Sequence, residues 1–120
     1  MVTHSPLIES SLADLPLVRR GKVRDVYAID DAHLLIVATD RISAFDYVLG
    51  SGIPDKGRVL TQLSAFWFDR VADLVPHHLV TADVSRFPAV LAPHAELLRG
   101  RSMLVRRTTP FSIECVARGY

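Results

Sequence analysis

Gly21-Lys22-Val23-Arg24-Asp25-Val26-Tyr27 is the stretch on which the reading of this chain turns. It lies between Leu15–Arg20 and the pair Ala28-Ile29, so the glycine and lysine fall between two runs of strand character. Glycine has no Cβ, so a turn built on it can approach a ligand closely. Lys22 and Arg24 are two residues apart, and in an extended strand such residues project from one face. Two cations beside a glycine turn can clamp a polyphosphate. The same pattern suits an exposed basic hairpin tip, and seven residues leave both readings open.

Outward from that turn, Leu17–Arg20 pairs with Val23–Ile29, and Asp30-Asp31 makes a second turn. The apolar run His33–Thr39 has strand length and the composition of a strand buried on both faces. The chain therefore opens as a three-stranded antiparallel meander. Before it, Ile8–Leu15 reads as a short helical turn, with Ser10 or Ser11 as N-cap and Pro16 ending it. After it, Asp40–Asp46 changes abruptly to two aspartates, an arginine and a serine. Polar groups gathered where a buried strand ends read as a functional loop or as an Asx-type turn capped by Asp40 or Ser43.

Tyr47–Leu49 reads as a short strand and Gly50–Gly57 as a loop. From Arg58 the apolar residues Leu60, Leu63, Trp67, Val71 and Leu74 recur at helical steps, with Phe66 and Phe68 widening the stripe and Pro76 ending it. This aromatic face is expected to pack as core against the sheet. His77-His78 are adjacent, which is not metal-ligand spacing on a helix. Leu79–Gly100 is punctuated by Pro88 and Pro93, with short helical turns expected over Ala89–Leu98. Ser102–Arg107 and Ser112–Arg118 read as two more strands joined at Thr108-Thr109-Pro110, the second placing Glu114 and Arg118 on one face and burying Cys115 as an inert thiol. The fold class expected is α+β: an antiparallel sheet with one main packing helix.

Composition narrows the functional classes. A chain of 120 residues, half apolar and about a fifth charged, suits one small folded domain. A net charge of +1 gives no global attraction to nucleic acid or to an anionic membrane, so neither is an expected partner and anion recognition must be local. One cysteine rules out an internal disulfide framework and fits a reducing, cytoplasmic setting. No signal peptide and no spanning segment are read in the sequence. Nor does it contain a Walker A sequence, a nucleophile elbow, a paired-cysteine zinc set or GxGxxG.

Taken together, Gly21–Tyr27, the strand running into Ala38-Thr39-Asp40-Arg41-Ile42-Ser43-Ala44-Phe45-Asp46, Ile53–Gly57 with Leu60–Phe68, and Ile113–Tyr120 resemble the SAICAR synthetase family of de novo purine synthesis. The four motifs stand in the family's order from about Val18 to Tyr120. The resemblance implies an ATP- and Mg2+-dependent ligase that joins L-aspartate to carboxyaminoimidazole ribonucleotide through an acyl phosphate. It implies a two-lobed fold whose N-terminal lobe is like the small lobe of a protein kinase, with ATP in the cleft between lobes. On that basis residues 1–107 form the nucleotide-binding lobe, and 108–120 the hinge and the start of a second lobe.

Residue by residue, the resemblance puts Gly21, Lys22, Val23 and Arg24 over the ATP phosphates and makes Arg106–Pro110, including Thr108, the hinge that reads adenine. Arg118 matches the arginine for the substrate's ribose phosphate, and Asp40, Ser43 and Asp46 match a loop at the substrate end of the cleft. Lys56 and Glu114 also match, without a defined role. No catalytic residue and no metal ligand is assigned, because the family's serine-containing substrate loop and acidic metal ligands lie beyond Tyr120. The strand His33–Thr39 carries no lysine where a kinase has its ATP-binding lysine, which leaves phosphate contact to Lys22 and Arg24. The chain is therefore expected to be a truncated part of such an enzyme, inactive alone. The alternative expectation is a non-catalytic module that binds a nucleotide or a partner through the Gly21 hairpin.

Overall fold

The computed structural model describes residues 5–45 and 47–119. Strands β1 (Leu17–Arg20), β2 (Arg24–Ala28) and β3 (His33–Ala38) form the expected meander. Strand β4 (Arg41–Ala44) and β5 (Tyr47–Gly52) follow, then helix α1 (Lys56–Val71) and strand β6 (Leu79–Thr81). Two 3-10 turns, Val84–Arg86 and Ala89–His94, lead into the short helix α2 (Ala95–Leu98) and strand β7 (Ser102–Arg106). The main sheet is antiparallel in the order β1-β2-β3-β7-β6, with β4-β5 as a separate two-stranded hairpin. The class is α+β.

Strand alternation gives the main sheet two different faces. One carries Tyr27, Leu35 and Val37, which are buried with Leu12, Leu91 and Leu98 in a core closed by the N-terminal segment and the 84–98 turns. The register Arg24↔Ala38, Val26↔Ile36 and Ile36↔Met103 puts the opposite set on the other face. Helix α1 lies against β3 and β7 and covers only part of that face. The buried contact is made by small residues, Gly57 and Thr61, continued by half-buried Ser64 and Phe68 at helical spacing. A Cβ on Gly57 would stand 2.1 Å from the Ala38 carbonyl oxygen, so only glycine allows this approach.

Five expectations need correction here. The stripe Leu60, Leu63, Phe66, Trp67 and Leu74 is not core: these side chains are exposed, because the helix meets the sheet through its small residues. Asp40–Asp46 is not wholly loop, since Arg41–Ala44 pairs with β5 as a hairpin. Ser112–Arg118 is not a strand; both edges of β7 are already taken, by β3 and β6, and residues 112–118 run exposed and unpaired with any described strand. Cys115 is accordingly an exposed thiol rather than a buried one. Ser10 caps no helix; it is buried, and its hydroxyl donates to Asp25 at 2.6 Å.

Two carboxylates with no exposed surface tie these parts together. Asp40 Oδ1 accepts from the Gly57 amide (2.8 Å) and Arg101 Nη1 (3.1 Å), and Oδ2 from the Leu7 amide (2.8 Å) and Arg101 Nη2 (3.2 Å). Asp25 Oδ1 accepts from Arg20 Nε (3.1 Å) and Arg41 Nη2 (2.9 Å), and Oδ2 from the Ser10 amide and hydroxyl. Burial pushes both carboxyls up. For Asp25 the bonds from Ser10 and Arg41 outweigh it, and for Asp40 those from Arg101, Gly57 and Leu7 do, so both end below the ordinary value of 3.8.

Two outcomes follow. A folded pKa below the unfolded one contributes stability above about pH 4 and loses it as pH falls through the lowered folded values. The Tm should therefore drop steeply on acidification below about pH 4, whereas a Tm unchanged down to about pH 3 would contradict the buried charge pairs. Gly57→Ala should cost roughly 1–3 kcal/mol by overpacking, a Tm loss of roughly 4 °C or more. Gly50→Ala, where an added Cβ meets nothing within 4 Å, is the control and should not show that loss.

Candidate functional site

Between the open part of the sheet and α1 lies a cleft of about 280 Å³, lined by Val23, Arg24, Ile36, Ala38, Lys56, Leu60 and Met103, with Thr39, Thr61 and Ser64 completing it. Its floor is apolar and its cations come from two different elements. Arg24 starts β2 and projects to this face, while its neighbour Asp25 points to the buried side. Lys56 opens α1. There Asp55 adopts a left-handed conformation (φ 65°), one that aspartate tolerates better than most residues, and its carboxylate pairs with Arg58 at 2.6 Å. No side chain of the preceding loop caps the helix; Asp40 supplies the acceptor for the Gly57 amide from across the fold, an anion at the positive end of the helix dipole.

The glycine turn closes tightly: the Gly21 amide donates to the Arg24 carbonyl at 2.8 Å. It is held from beneath by Arg41, which is buried and donates from Nη2 to the Gly21 carbonyl (3.0 Å) and from Nε to the Lys22 carbonyl (3.0 Å). Thr39 reinforces the next residue, its amide and hydroxyl both donating to the Val23 carbonyl. Gly21, Lys22, Val23 and Arg24 thus form one rigidly supported rim, with Val23 and Arg24 in the cleft.

Of the other candidates, Lys56 joins Arg24 in the cleft. Arg106 ends β7 exposed, its guanidinium donating to the His77 carbonyl at 3.0 Å. Burial first, then the charges of His77, Arg24 and Arg106, push the His78 imidazole below 6.5. Thr108, Glu114 and Arg118 are exposed and are not among the residues that line the cleft. Ser43 is half-buried on β4, away from that lining. Asp46 lies outside the described residues.

Asp40 is a correction of a different kind. All its acceptor positions are used by internal donors, so it supports the site instead of offering a carboxylate to a ligand. Among the described residues no three His, Cys, Asp or Glu side chains converge on a metal position. Residue-level reading missed Arg41 and Arg101, both buried cations, and the apolar floor of Ile36 and Met103. The available signal for Arg41 was a lone arginine beside an aspartate directly after a buried strand.

Comparison with known proteins bears on what this arrangement serves. The sequence profile of SAICAR synthetase matches residues 17–120. Phosphoribosylaminoimidazole-succinocarboxamide synthase of Thermodesulfovibrio yellowstonii is 56% identical over 114 residues, covering 95% of this chain and 39% of that protein. The same enzyme of Desulfotalea psychrophila is 58% identical over 116 residues, again covering 95% and 39%. Among solved structures, SAICAR synthase from Saccharomyces cerevisiae complexed with SAICAR superimposes with a TM-score of 0.75 at 43% identity, over 84% of this chain and 36% of that one. The chain therefore spans about two-fifths of the length of these relatives. A match that takes in the glycine turn, the Asp40-Arg41 junction, α1 and β7 in one order leaves one assignment: the chain belongs to the SAICAR synthetase family.

Proposed function

We propose that this chain supplies the nucleotide-binding wall of a SAICAR synthetase, a ligase of purine biosynthesis that condenses L-aspartate with carboxyaminoimidazole ribonucleotide at the expense of ATP. The observation that carries the reading is the cleft in which Arg24 and Lys56 flank an apolar floor between sheet and helix. An adenine ring is flat and apolar on its faces, which suits Ile36, Met103 and Val23; the phosphates carry the charge, which suits Lys22, Arg24 and Lys56.

In this reading an oxygen of the imidazole carboxylate attacks the γ-phosphorus, ADP departs, and the aspartate amine displaces phosphate from the acyl carbon. The cations stabilise charge on the transferring phosphoryl group. Arg106 and Thr108 sit at the lobe hinge beside the adenine edge, and Arg118 takes the ribose phosphate of the substrate. Ser43, Asp46 and Glu114 belong to the substrate end, and the location is cytoplasmic. Mg2+ belongs to this reading as ATP's usual companion, but the described residues offer it no ligand set and no step here runs through it. No helix among the described residues is long and apolar enough to cross a membrane.

The test is calorimetric titration of the complete polypeptide with ATP. Lys22→Ala and Lys56→Ala should each weaken ATP binding tenfold or more, since a charge-assisted contact contributes roughly 1.5–3 kcal/mol. Wild-type affinity in both variants would remove the phosphate assignment.

A further inference from the structure

Arg41 spends its guanidinium on the glycine turn in an unusual way. Its Nε and Nη2 donate to two successive carbonyls, those of Lys22 and Gly21, while Nη1 holds the Ile8 carbonyl at 2.8 Å and Nη2 also meets Asp25. The group is nearly all buried (side chain 7% exposed) and Asp25 fully so, which keeps solvent out of the clamp. The described chain has no cis peptide bond. In a trans peptide the carbonyl of one residue and the amide hydrogen of the next point in opposite directions. Holding the Lys22 carbonyl toward Arg41 therefore turns the Val23 amide hydrogen away from it. Both faces of the rim are fixed by one planar group.

We infer that Arg41 is a positioning residue for phosphate recognition: it never meets the nucleotide, and it sets the orientation of the Gly21-Val23 main chain that does. This rests on the ATP reading above. A loop free to rotate its peptides would spend binding energy on ordering itself, so an enforced orientation strengthens phosphate contacts selectively and leaves contacts to the base unchanged. The guanidinium is suited to this work because its donors lie in one plane at fixed spacing. A lysine ammonium keeps the charge beside Asp25 but cannot reach both carbonyls in that geometry.

The experiment compares ATP with adenosine on the complete polypeptide, by calorimetry, for wild type and Arg41→Lys. The inference expects Arg41→Lys to lose about fivefold or more in ATP affinity while adenosine binding stays within about twofold. The double variant Asp25→Asn with Arg41→Gln, which removes both charges together, should show the same selective loss. Equal loss of ATP and adenosine would overturn the inference, as would failure of both variants to fold, because either result makes Arg41 a residue of the fold alone. Full retention of the ATP preference in Arg41→Lys would overturn it while leaving the ATP reading intact. If wild type itself binds ATP no tighter than adenosine, the ATP reading fails and this inference falls with it.

Discussion

Asp40 and Arg41 are neighbours in sequence, both buried, and each is satisfied by a different part of the molecule. Asp40 binds the first-turn amide of α1 and the guanidinium of Arg101. Arg41 binds the carbonyls of the glycine turn and the carboxylate of Asp25. The two walls of the cleft are thus held by adjacent residues at the end of the central strand. Burying charge is costly unless each ion is paired and its remaining hydrogen-bond positions are filled. Here four donors converge on each carboxylate, so each pair stays ionised, and removing either partner would leave the other stranded. That constraint fixes the width of the cleft more firmly than apolar packing could, because ion pairs with this many directed bonds have one geometry.

The approach of α1 depends on the same junction. Gly57 presses against the Ala38 carbonyl while its amide reaches Asp40 Oδ1, so the close packing and the cap are one contact seen from two sides. A larger residue would push the helix off the strand and withdraw Lys56 from the cleft that it shares with Arg24. Near its N-terminus the helix meets the sheet through the small residues Gly57 and Thr61, which leaves room for a cavity floored by Ile36 and Met103. Had Leu63 or Trp67 faced inward, that cavity would be filled.

This explains what could be read in the sequence and what could not. The meander was legible because turn residues separate runs of clear strand character, and β3 was legible because it is apolar throughout. The helix was legible as a helix from its period, but its orientation was misread. Periodicity reports that apolar residues share a face; it does not report which face meets the sheet, and here Gly57, Thr61 and Ser64 do. Strand β4 was hidden because Arg41 and Ser43 look like loop residues until Arg41 is seen to be neutralised by Asp25. Strand β6 has three residues and no pattern to betray it. Within the site, Arg24 and Lys56 were singled out for separate reasons, and only the fold shows that they line one cleft; Asp40 was nominated for contact and does support instead. Polarity in sequence cannot separate those roles, because a buried carboxylate and a ligand-binding one are the same residue until their donors are counted.

The arrangement also accounts for how a chain of net charge +1 can present a positive site. The glycine-turn motif contains Arg24 and Asp25 side by side, and their charges would cancel for a distant ion. Strand alternation sends Arg24 into the cleft and Asp25 to the far face, where Arg20 and Arg41 neutralise it. Asp40 is neutralised likewise by Arg101. Asp25 and Asp40 are therefore already committed within the protein, which leaves Arg24 and Lys56 as the charges that line the cleft. The positive character of the cleft comes from which face each charge occupies, a property of register that a count of charges averages away.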